Sequence, residues 1–275
     1  MADRINPETV ERVKVIREWE KNNNFKQASD IPGFDSYKNY FVPASVVKSS
    51  KTVLSFGVGG NVSFEKLIAF ANKDIHIEMY DPTPWSVDTI EVIIDRSGRK
   101  SINAGTGLTG NTVRNKAVVE RIHFNPVAYA PENGILPFYY DPDRENEDET
   151  ISMQEQSFSL VKRQEHFKSV NVKAKNLETI MKELDLKSVD IIKADIEGLW
   201  WDFGHELLDK KIDCKFLALE LELNFEKDGE IEPALEKAQI LCDKFKENNY
   251  DVVINRKREK LMLEMLFIRK DAYEG

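Results

Sequence analysis

Cysteine and histidine are scarce in this 275-residue chain, which has two cysteines and four histidines. Cys214 and Cys242 form no Cys-x-x-Cys pair and lie in apolar segments, so we expect them to be small buried hydrophobic side chains and not metal ligands. The histidines show no metal-ligand spacing. The sequence therefore predicts no metal centre, although two carboxylates discussed below are ligands that magnesium would accept.

Long apolar runs and an excess of positive charge are also lacking. No run approaches the roughly 18 apolar residues of a membrane span, so no membrane association is predicted. The net charge is −9, and a nucleic acid is not the expected partner because phosphate binding needs a basic face. The chain starts with a charged amphipathic pattern that contains no apolar signal segment, which favours a cytoplasmic location.

Short apolar strands alternate with helical patterns along most of the chain. This order predicts an α/β fold whose mostly parallel sheet is covered by helices on both faces. The last two strands are joined by a short charged turn and should pair antiparallel. The predicted strands are 52–56, 75–80, 121–130, 136–140, 189–194, 216–221, 250–255 and 261–269, and the predicted helices begin with one from Pro7 and continue with 62–71, 177–184 and 232–248.

We therefore expect a doubly wound, Rossmann-like sheet of seven strands that ends in an antiparallel hairpin. Residues 1–48 are interpreted as a helical N-terminal extension, and residues 49–275 as one domain. The acidic segment 141–150 is expected to be a loop.

A glycine cluster follows the first predicted strand of that domain. In a turn from strand to helix, glycines such as Gly57, Gly59 and Gly60 let the backbone fold tightly and approach a ligand. Asp81 ends the second strand, where a carboxylate can accept the ribose hydroxyls of an adenosine. The structural alternative is a tight turn with Asp81 capping the next helix.

A dinucleotide fingerprint is incomplete at this turn, because its third glycine would fall at Val62. A full Gly-x-Gly-x-x-Gly occurs at 105–110, but a polar segment and no strand precedes it, so we interpret it as a loop. Basic residues surround that loop: Arg96, Arg99, Lys100, Arg114, Lys116 and Arg121. They predict a solvated surface, or alternatively a grip on an anionic acceptor group.

Charged residues end the predicted buried strand 189–194. Lys193, Asp195 and Glu197 should face a ligand site, because ligands of open α/β sheets bind beyond the carboxyl ends of the strands. Asp195 or Glu197 could accept a proton from a reacting hydroxyl, and Lys193 could orient that oxygen or serve as the base. A structural ion pair of Lys193 with either carboxylate is the alternative.

The sequence resembles the FkbM family of methyltransferases from about residue 52 onward. The segments that carry the resemblance are VLSFGVGGNVSFE (53–65), EMYDPTP (78–84), VNVKAKNLETIMKE (170–183), VDIIKADIEG (189–198) and KFLALELE (215–222). It implies a class I methyltransferase fold, S-adenosylmethionine as cofactor and methylation of a hydroxyl oxygen. Ser55 stands where the family has an acid, so one cofactor contact is missing or supplied elsewhere. Residues 86–120 match poorly and leave the acceptor open.

These observations assign roles to a defined set of residues. The cofactor-binding set is Phe56, Gly57, Val58, Gly59, Gly60, Asp81, Pro82, Ala128 and Tyr129, and the catalytic set is Asp195, Glu197 and Lys193. The glycines would wrap the methionine part, Asp81 the ribose, and Ala128 with Tyr129 the adenine. The acceptor would be a sugar or another small molecule. An NAD-dependent oxidoreductase and a degenerate cofactor-binding module remain the alternatives.

Overall fold

A computed structural model describes residues 7–84, 86–87, 90, 116–142, 158–223, 231–256 and 262–273. The helices are α1 (Pro7–Asn22), α2 (Ala44–Ser49), α3 (Ser63–Ala71), α4 (Lys116–Val119), α5 (Leu177–Glu183), α6 (Trp200–Asp209) and α7 (Glu232–Glu247). The strands are β1 (Lys26–Gln27), β2 (Phe34–Tyr37), β3 (Tyr40–Pro43), β4 (Thr52–Phe56), β5 (His76–Tyr80), β6 (Ile122–Asn125), β7 (Ala128–Tyr129), β8 (Gly134–Tyr140), β9 (Lys168–Lys175), β10 (Ser188–Ala194), β11 (Asp213–Glu222), β12 (Tyr250–Arg256) and β13 (Met262–Arg269).

The central sheet has the strand order β1-β12-β13-β11-β10-β4-β5-β6. Only β13 runs antiparallel to its neighbours, β11 and β12, while the other pairs are parallel. The predicted mixed α/β fold with a mostly parallel sheet and an antiparallel C-terminal hairpin is confirmed. The sheet has eight strands where seven were expected, because the two-residue strand β1 adds parallel to the edge strand β12.

The neighbouring strands β4 and β10, in the middle of the sheet, mark its topological switch point. The chain builds outward from β4 through β5 to β6, and then returns to place β10 against the other side of β4. Ligands of such sheets bind at the carboxyl ends of the strands where the direction of winding changes. The switch point therefore lies where the glycine turn after β4 meets the acidic segment after β10.

Alternation along the strands divides the core into two layers. Leu54, Phe56 and Ile192 are buried in the layer that includes residues of α5, α6 and α7, whereas Val53 and Ile191 are buried in the layer on the other face. This follows from the period of two in a β-strand, which sends neighbouring side chains to opposite faces of the sheet.

The N-terminal 48 residues contain more than the expected helix. Besides α1, they include β1 and the antiparallel hairpin β2–β3. Partly buried Val15 and Trp19 of α1 pack against the core, and Arg256 of β12 forms an ion pair with the buried Glu20. The division into an extension and one methyltransferase domain stays a prediction.

A small second sheet lies beside the central one, with the order β7-β9-β8. Strand β9 was not predicted from the sequence, because its alternating lysines and short apolar side chains give a weak pattern (its sequence is KSVNVKAK). In the described part of the chain no helix is long and apolar enough to cross a membrane. The loop 105–110 and nearly all of 141–150 lie outside the described residues.

Candidate active site

A cleft opens at the switch point, and we call it the front cleft. Segments 56–59, 80–83, 128–129 and 195–197 line it, together with Phe138, Phe158, Leu160 and Leu199. The front cleft thus brings together eight of the nine residues predicted to bind the cofactor; Gly60 does not line it. Of the three predicted catalytic residues, Asp195 and Glu197 line it and Lys193 does not.

The first glycine of the turn is required by the protein backbone itself. Gly57 has φ +66°, and a Cβ placed on it would lie 1.6 Å from the carbonyl oxygen of Asp195. The same stretch is fastened by hydrogen bonds from Gly57 N to Tyr80 O (2.9 Å) and from Asp195 N to Phe56 O (3.2 Å). Only glycine tolerates both this conformation and this close approach, so Gly57 sets the distance between the ends of β4 and β10.

Asp81 holds the glycine turn as well as facing the cleft. Its side chain is 4% exposed. Oδ2 accepts a hydrogen bond from Gly59 N at 2.7 Å, and Oδ1 accepts from Thr83 N at 2.8 Å and from Thr83 Oγ1 at 2.6 Å. The structural alternative, a turn closed by Asp81, is therefore present. A carboxylate oxygen accepts about two hydrogen bonds, so Oδ2 keeps one position for a ligand hydroxyl.

Aromatic rings form the wall of the front cleft that faces the helices. Phe56 stacks on Tyr80 at a centroid distance of 4.9 Å, and Phe203 contacts both Phe56 and Tyr129. The Tyr129 hydroxyl donates to Glu206 Oε2 at 3.0 Å. Burial, followed by the charge of Glu206, raises the pKa of Tyr129. Tyr129 therefore keeps its proton and forms a neutral part of the wall.

A second cavity, which we call the rear cavity, lies on the other side of the glycine turn. Residues 38–40, Gly57, Val58, Asn61, Phe64, Glu65, Lys193 and Asp195 line it. Lys193 is 4% exposed, and its Nζ donates to Gly57 O at 2.8 Å and to Phe56 O at 3.3 Å. Lys193 therefore holds the glycine turn from behind and does not face the same cleft as Glu197.

A buried carboxylate stands next to Ser55 in this region. Ser55 Oγ donates to Glu65 Oε1 at 2.5 Å, and both side chains are buried. Burial raises the pKa of Glu65, while Lys193 and the Ser55 hydroxyl lower it. Glu65 of α3 thus places a carboxylate beside position 55, where the family resemblance leads one to expect an acid.

Glu197 adopts an unusual backbone conformation. Its φ is +44°, and Gly198 follows with φ +92°. The Glu197 side chain forms an ion pair with Arg163, and its carbonyl accepts a hydrogen bond from Ser159 Oγ at 2.6 Å. A non-glycine residue in the left-handed region costs about 1–2 kcal/mol and needs support from its surroundings. The segment around 159–163 supplies that support and fixes the position of the carboxylate.

Trp200, the two cysteines and His205 have structural roles. Trp200 is buried in the core. Cys214 and Cys242 are buried and unbridged, as predicted. His205 lines neither cavity; its Nδ1 lies 3.2 Å from Lys244 Nζ, and burial together with Lys244 lowers its pKa.

The predicted basic cluster is described only in part. Arg121 does not grip an anion: its guanidinium donates to the carbonyls of Ala69, Asn72, Ile75 and Ala117. Arg96, Arg99, Lys100 and Arg114 lie outside the described residues.

Sequence reasoning missed five residues that shape the site. Glu65 could have been suspected, because a serine in the middle of an apolar strand needs a polar partner. Tyr40 and Arg163 come from a hairpin and from an irregular segment that have no periodic pattern. Phe138 and Phe158 stack at 5.5 Å and line the front cleft, but an apolar residue in a strand gives no signal of which cavity it borders.

Comparison with known proteins gives matches only to solved structures. No family model matches the sequence, and no curated protein matches it. A putative O-methyltransferase from Klebsiella pneumoniae is 8% identical at a TM-score of 0.44, with 98% of this chain and 92% of that one covered. A precorrin-6y C5,15-methyltransferase from Geobacter metallireducens is 10% identical at 0.40, with coverages of 90% and 96%.

A pre-rRNA processing protein, fibrillarin from Methanococcus jannaschii, is 11% identical at a TM-score of 0.44 and covers 88% of this chain and 73% of its own. At these identities and TM-scores the likenesses establish no activity for this chain. The functional argument must come from the residues of the two cavities.

Proposed function

We propose that the protein is an S-adenosylmethionine-dependent methyltransferase that methylates a hydroxyl oxygen of a sugar or another small molecule. The observation that carries the proposal is that the glycine turn, Asp81 and Asp195 line a single cleft at the switch point of the sheet. Fold alone does not decide function, so the argument depends on what these groups can bind.

The front cleft fits an adenosine. Asp81 Oδ2 keeps an acceptor position for a ribose hydroxyl, and Tyr80 with Tyr129 gives apolar surface for a purine ring. The turn does not fit a pyrophosphate as well, because the third glycine of a dinucleotide fingerprint is replaced by the buried Val62. These features favour a nucleoside cofactor over NAD.

The catalytic roles follow from where the carboxylates lie. S-adenosylmethionine, when bound, supplies an electrophilic methyl group. Asp195 borders both cavities and is our candidate for the group that accepts the hydroxyl proton. Glu197 is held by Arg163 and would orient the acceptor. Lys193 would position the glycine turn and not the reacting oxygen.

The choice of oxygen as the methyl acceptor rests on the resemblance of 189–198 to the FkbM family. The acceptor class, including an anionic one, and the cytoplasmic location are part of the proposal. So is the expectation that neither a nucleic acid nor a membrane is a partner.

Calorimetric titration with S-adenosylhomocysteine, and in parallel with NAD, tests the cofactor. We expect saturable binding of S-adenosylhomocysteine alone, weakened at least about 10-fold by Asp81→Asn, because the variant retains the shape but not the charge of the acceptor. Asp74→Asn is the matched control, since Asp74 is exposed in the loop that leads into β5. Binding of NAD alone would replace the proposal by the oxidoreductase alternative.

Asp195→Asn tests the catalytic assignment with radiolabelled methyl transfer to a panel of sugars and phenols. We expect the variant to bind S-adenosylhomocysteine as the wild type does but to transfer methyl groups at least about 100-fold more slowly, because general-base catalysis contributes about 10²–10⁴-fold. Unchanged transfer by the variant would remove Asp195 from the mechanism.

A further inference from the structure

The rear cavity contains a buried carboxylate oxygen to which the described residues donate no hydrogen bond. Glu65 is 1% exposed. Its Oε1 accepts from Ser55, but its Oε2 has no hydrogen-bond partner among the described residues. Glu65 lines the rear cavity. A buried acceptor left without a donor costs about 1–3 kcal/mol, and more when it is charged, so a donor from a ligand would be strongly favoured here.

The position of Glu65 is fixed by the elements around it. It lies in the first turn of α3, where the positive end of the helix dipole stabilises a carboxylate. Ser55 on β4 holds Oε1 in place. The one buried lysine of this cavity, Lys193, gives hydrogen bonds to the carbonyls of Phe56 and Gly57. It therefore attracts Glu65 electrostatically without capping Oε2.

Carboxylates stand close to Tyr40 in the rear cavity, whose lining also includes Lys38 and Lys193. Besides burial, the charges of Asp195, Glu264, Glu220 and Glu65 raise the pKa of the Tyr40 hydroxyl. Asp195 and Glu65 both line the cavity, and the Tyr40 ring already has a cation near it, with Lys193 Nζ 5.3 Å from its centroid. Carboxylates and an aromatic ring are the groups that recognise an ammonium ion.

We propose that the rear cavity binds a primary ammonium group of a ligand, and that Glu65 is the carboxylate that accepts its hydrogen bonds. Two molecules could bring this group. One is the cofactor, because the rear cavity shares Gly57, Val58 and Asp195 with the front cleft and a ligand that crosses the turn would present its amino-acid end to Glu65. The other is an acceptor that carries an amine. The first source rests on the proposed function, and the second does not.

Two pairs of ligands separate these sources by calorimetry. S-adenosylhomocysteine and 5′-methylthioadenosine share the nucleoside, but only the former has an ammonium group. Glucosamine and glucose differ in the same way among sugars. Each ligand is titrated into the wild type, Glu65→Gln and the control Glu178→Gln, which changes an exposed glutamate in the first turn of α5.

We expect Glu65→Gln to weaken S-adenosylhomocysteine about 10- to 100-fold, the scale of a charged hydrogen bond, and to leave 5′-methylthioadenosine unchanged. Loss of glucosamine binding alone, with glucose unaffected, would also support the proposal and assign the ammonium to the acceptor. If Glu65→Gln alters neither ammonium ligand, the proposal is overturned.

The two proposals fail in different ways. Absence of any S-adenosylhomocysteine binding to the wild type would reject the proposed cofactor, whereas the glucosamine arm would still test Glu65. Equal affinity of the wild type for S-adenosylhomocysteine and 5′-methylthioadenosine, together with no glucosamine binding, would retain the cofactor and reject the ammonium site. Thermal unfolding of both glutamine variants confirms that they are folded.

Discussion

The front cleft and the rear cavity share the glycine turn but differ in chemistry. The front cleft has aromatic and aliphatic walls with the carboxylates of Asp81, Asp195 and Glu197, while the rear cavity has Glu65 and Lys193 near Tyr40 and shares Asp195 with the front cleft. On β4 the difference arises because neighbouring residues of a strand point to opposite faces: Phe56 lines the front cleft, whereas Ser55 holds Glu65 of the rear cavity. Adjacent residues of one sequence motif therefore serve two different cavities, and a contiguous motif need not be a single site.

Gly57→Ala should have the largest effect, because it removes the turn that both cavities share. Positive φ costs about 1–2 kcal/mol, and the new Cβ would collide with the Asp195 carbonyl. We expect a loss of at least about 3 kcal/mol in the free energy of unfolding, measured by urea denaturation.

Gly33→Ala is the control for that variant. Gly33 also has positive φ (+86°), but the nearest atom to its Cβ would be Tyr273 Oη at an ordinary 3.8 Å. The difference between the two variants measures the collision alone. Equal losses would mean that the close approach of β4 and β10 is not a constraint.

Lys193→Met should affect the rear cavity more than the front cleft. It removes the donor to Gly57 O and leaves Glu65 without its nearest positive charge, so we expect a loss of about 3 kcal/mol in the free energy of unfolding. The same substitution in a Glu65→Gln background should cost clearly less, because no buried charge is then left uncompensated.

Lys215→Met is the comparison for this cycle, since Lys215 is partly exposed and pairs with Asp190 at 2.6 Å. Its expected cost is about 1 kcal/mol or less. Additive effects of Lys193→Met and Glu65→Gln would show that the two side chains do not interact.

Tyr129→Phe tests whether the hydroxyl of this front-cleft residue takes part in ligand binding. It removes the hydrogen bond to Glu206 but keeps the ring that forms the wall, so we expect a loss of about 1 kcal/mol in stability and unchanged S-adenosylhomocysteine affinity. Tyr139→Phe, at a partly exposed position of β8, is the control. A loss of ligand binding in Tyr129→Phe would show that the hydroxyl takes part in recognition.

The smallest expected effect is a pH dependence of stability at Glu65. Because burial raises the pKa of this carboxyl in the folded protein, its contribution to stability is fully present below the ordinary glutamate range and is lost as the pH rises through the raised value. Lys193, Tyr40 and Asp195 surround the cavity it faces and are the same in the variant. Glu65→Gln should therefore gain stability relative to the wild type between about pH 4.5 and 7.5. The free energy of unfolding of both proteins is measured by urea denaturation at the two pH values. An equal difference between variant and wild type at both values would contradict this prediction.

The helices and strands of the central sheet were largely predictable from the sequence. Strands such as Thr52–Phe56 are short apolar runs flanked by turn residues, and α7 carries an apolar stripe with helical spacing and a proline at its start. The elements that were not predicted are the helices α2, α4 and α6, strand β1 at the edge of the central sheet, and strands β2, β3 and β9 outside it. These four strands are short or polar, so their pairing depends on the neighbouring strand and not on their own pattern.

The candidate site was predictable where its residues come from the ends of parallel strands. Asp81 and Asp195 fall into one cleft because parallel strands bring their carboxyl ends to the same edge of the sheet. Lys193 was assigned to the same group, but it lies two residues before Asp195 and within the strand, so its side chain turns back under the glycine turn. Because Lys193 lies within the strand and not beyond its end, it supports the glycine turn and does not line the front cleft.

The sequence by itself determined the mixed α/β fold, the position of the glycine turn and the edge at which a ligand would bind, because these depend on local periodicity and on the conformational freedom of glycine. Only the tertiary structure decided that Gly57 is required by the Asp195 carbonyl and that the motif after β10 is divided between two cavities. It also placed a buried carboxylate from α3 beside Ser55. These contacts join segments of the chain that fold against one another, and no local pattern encodes them.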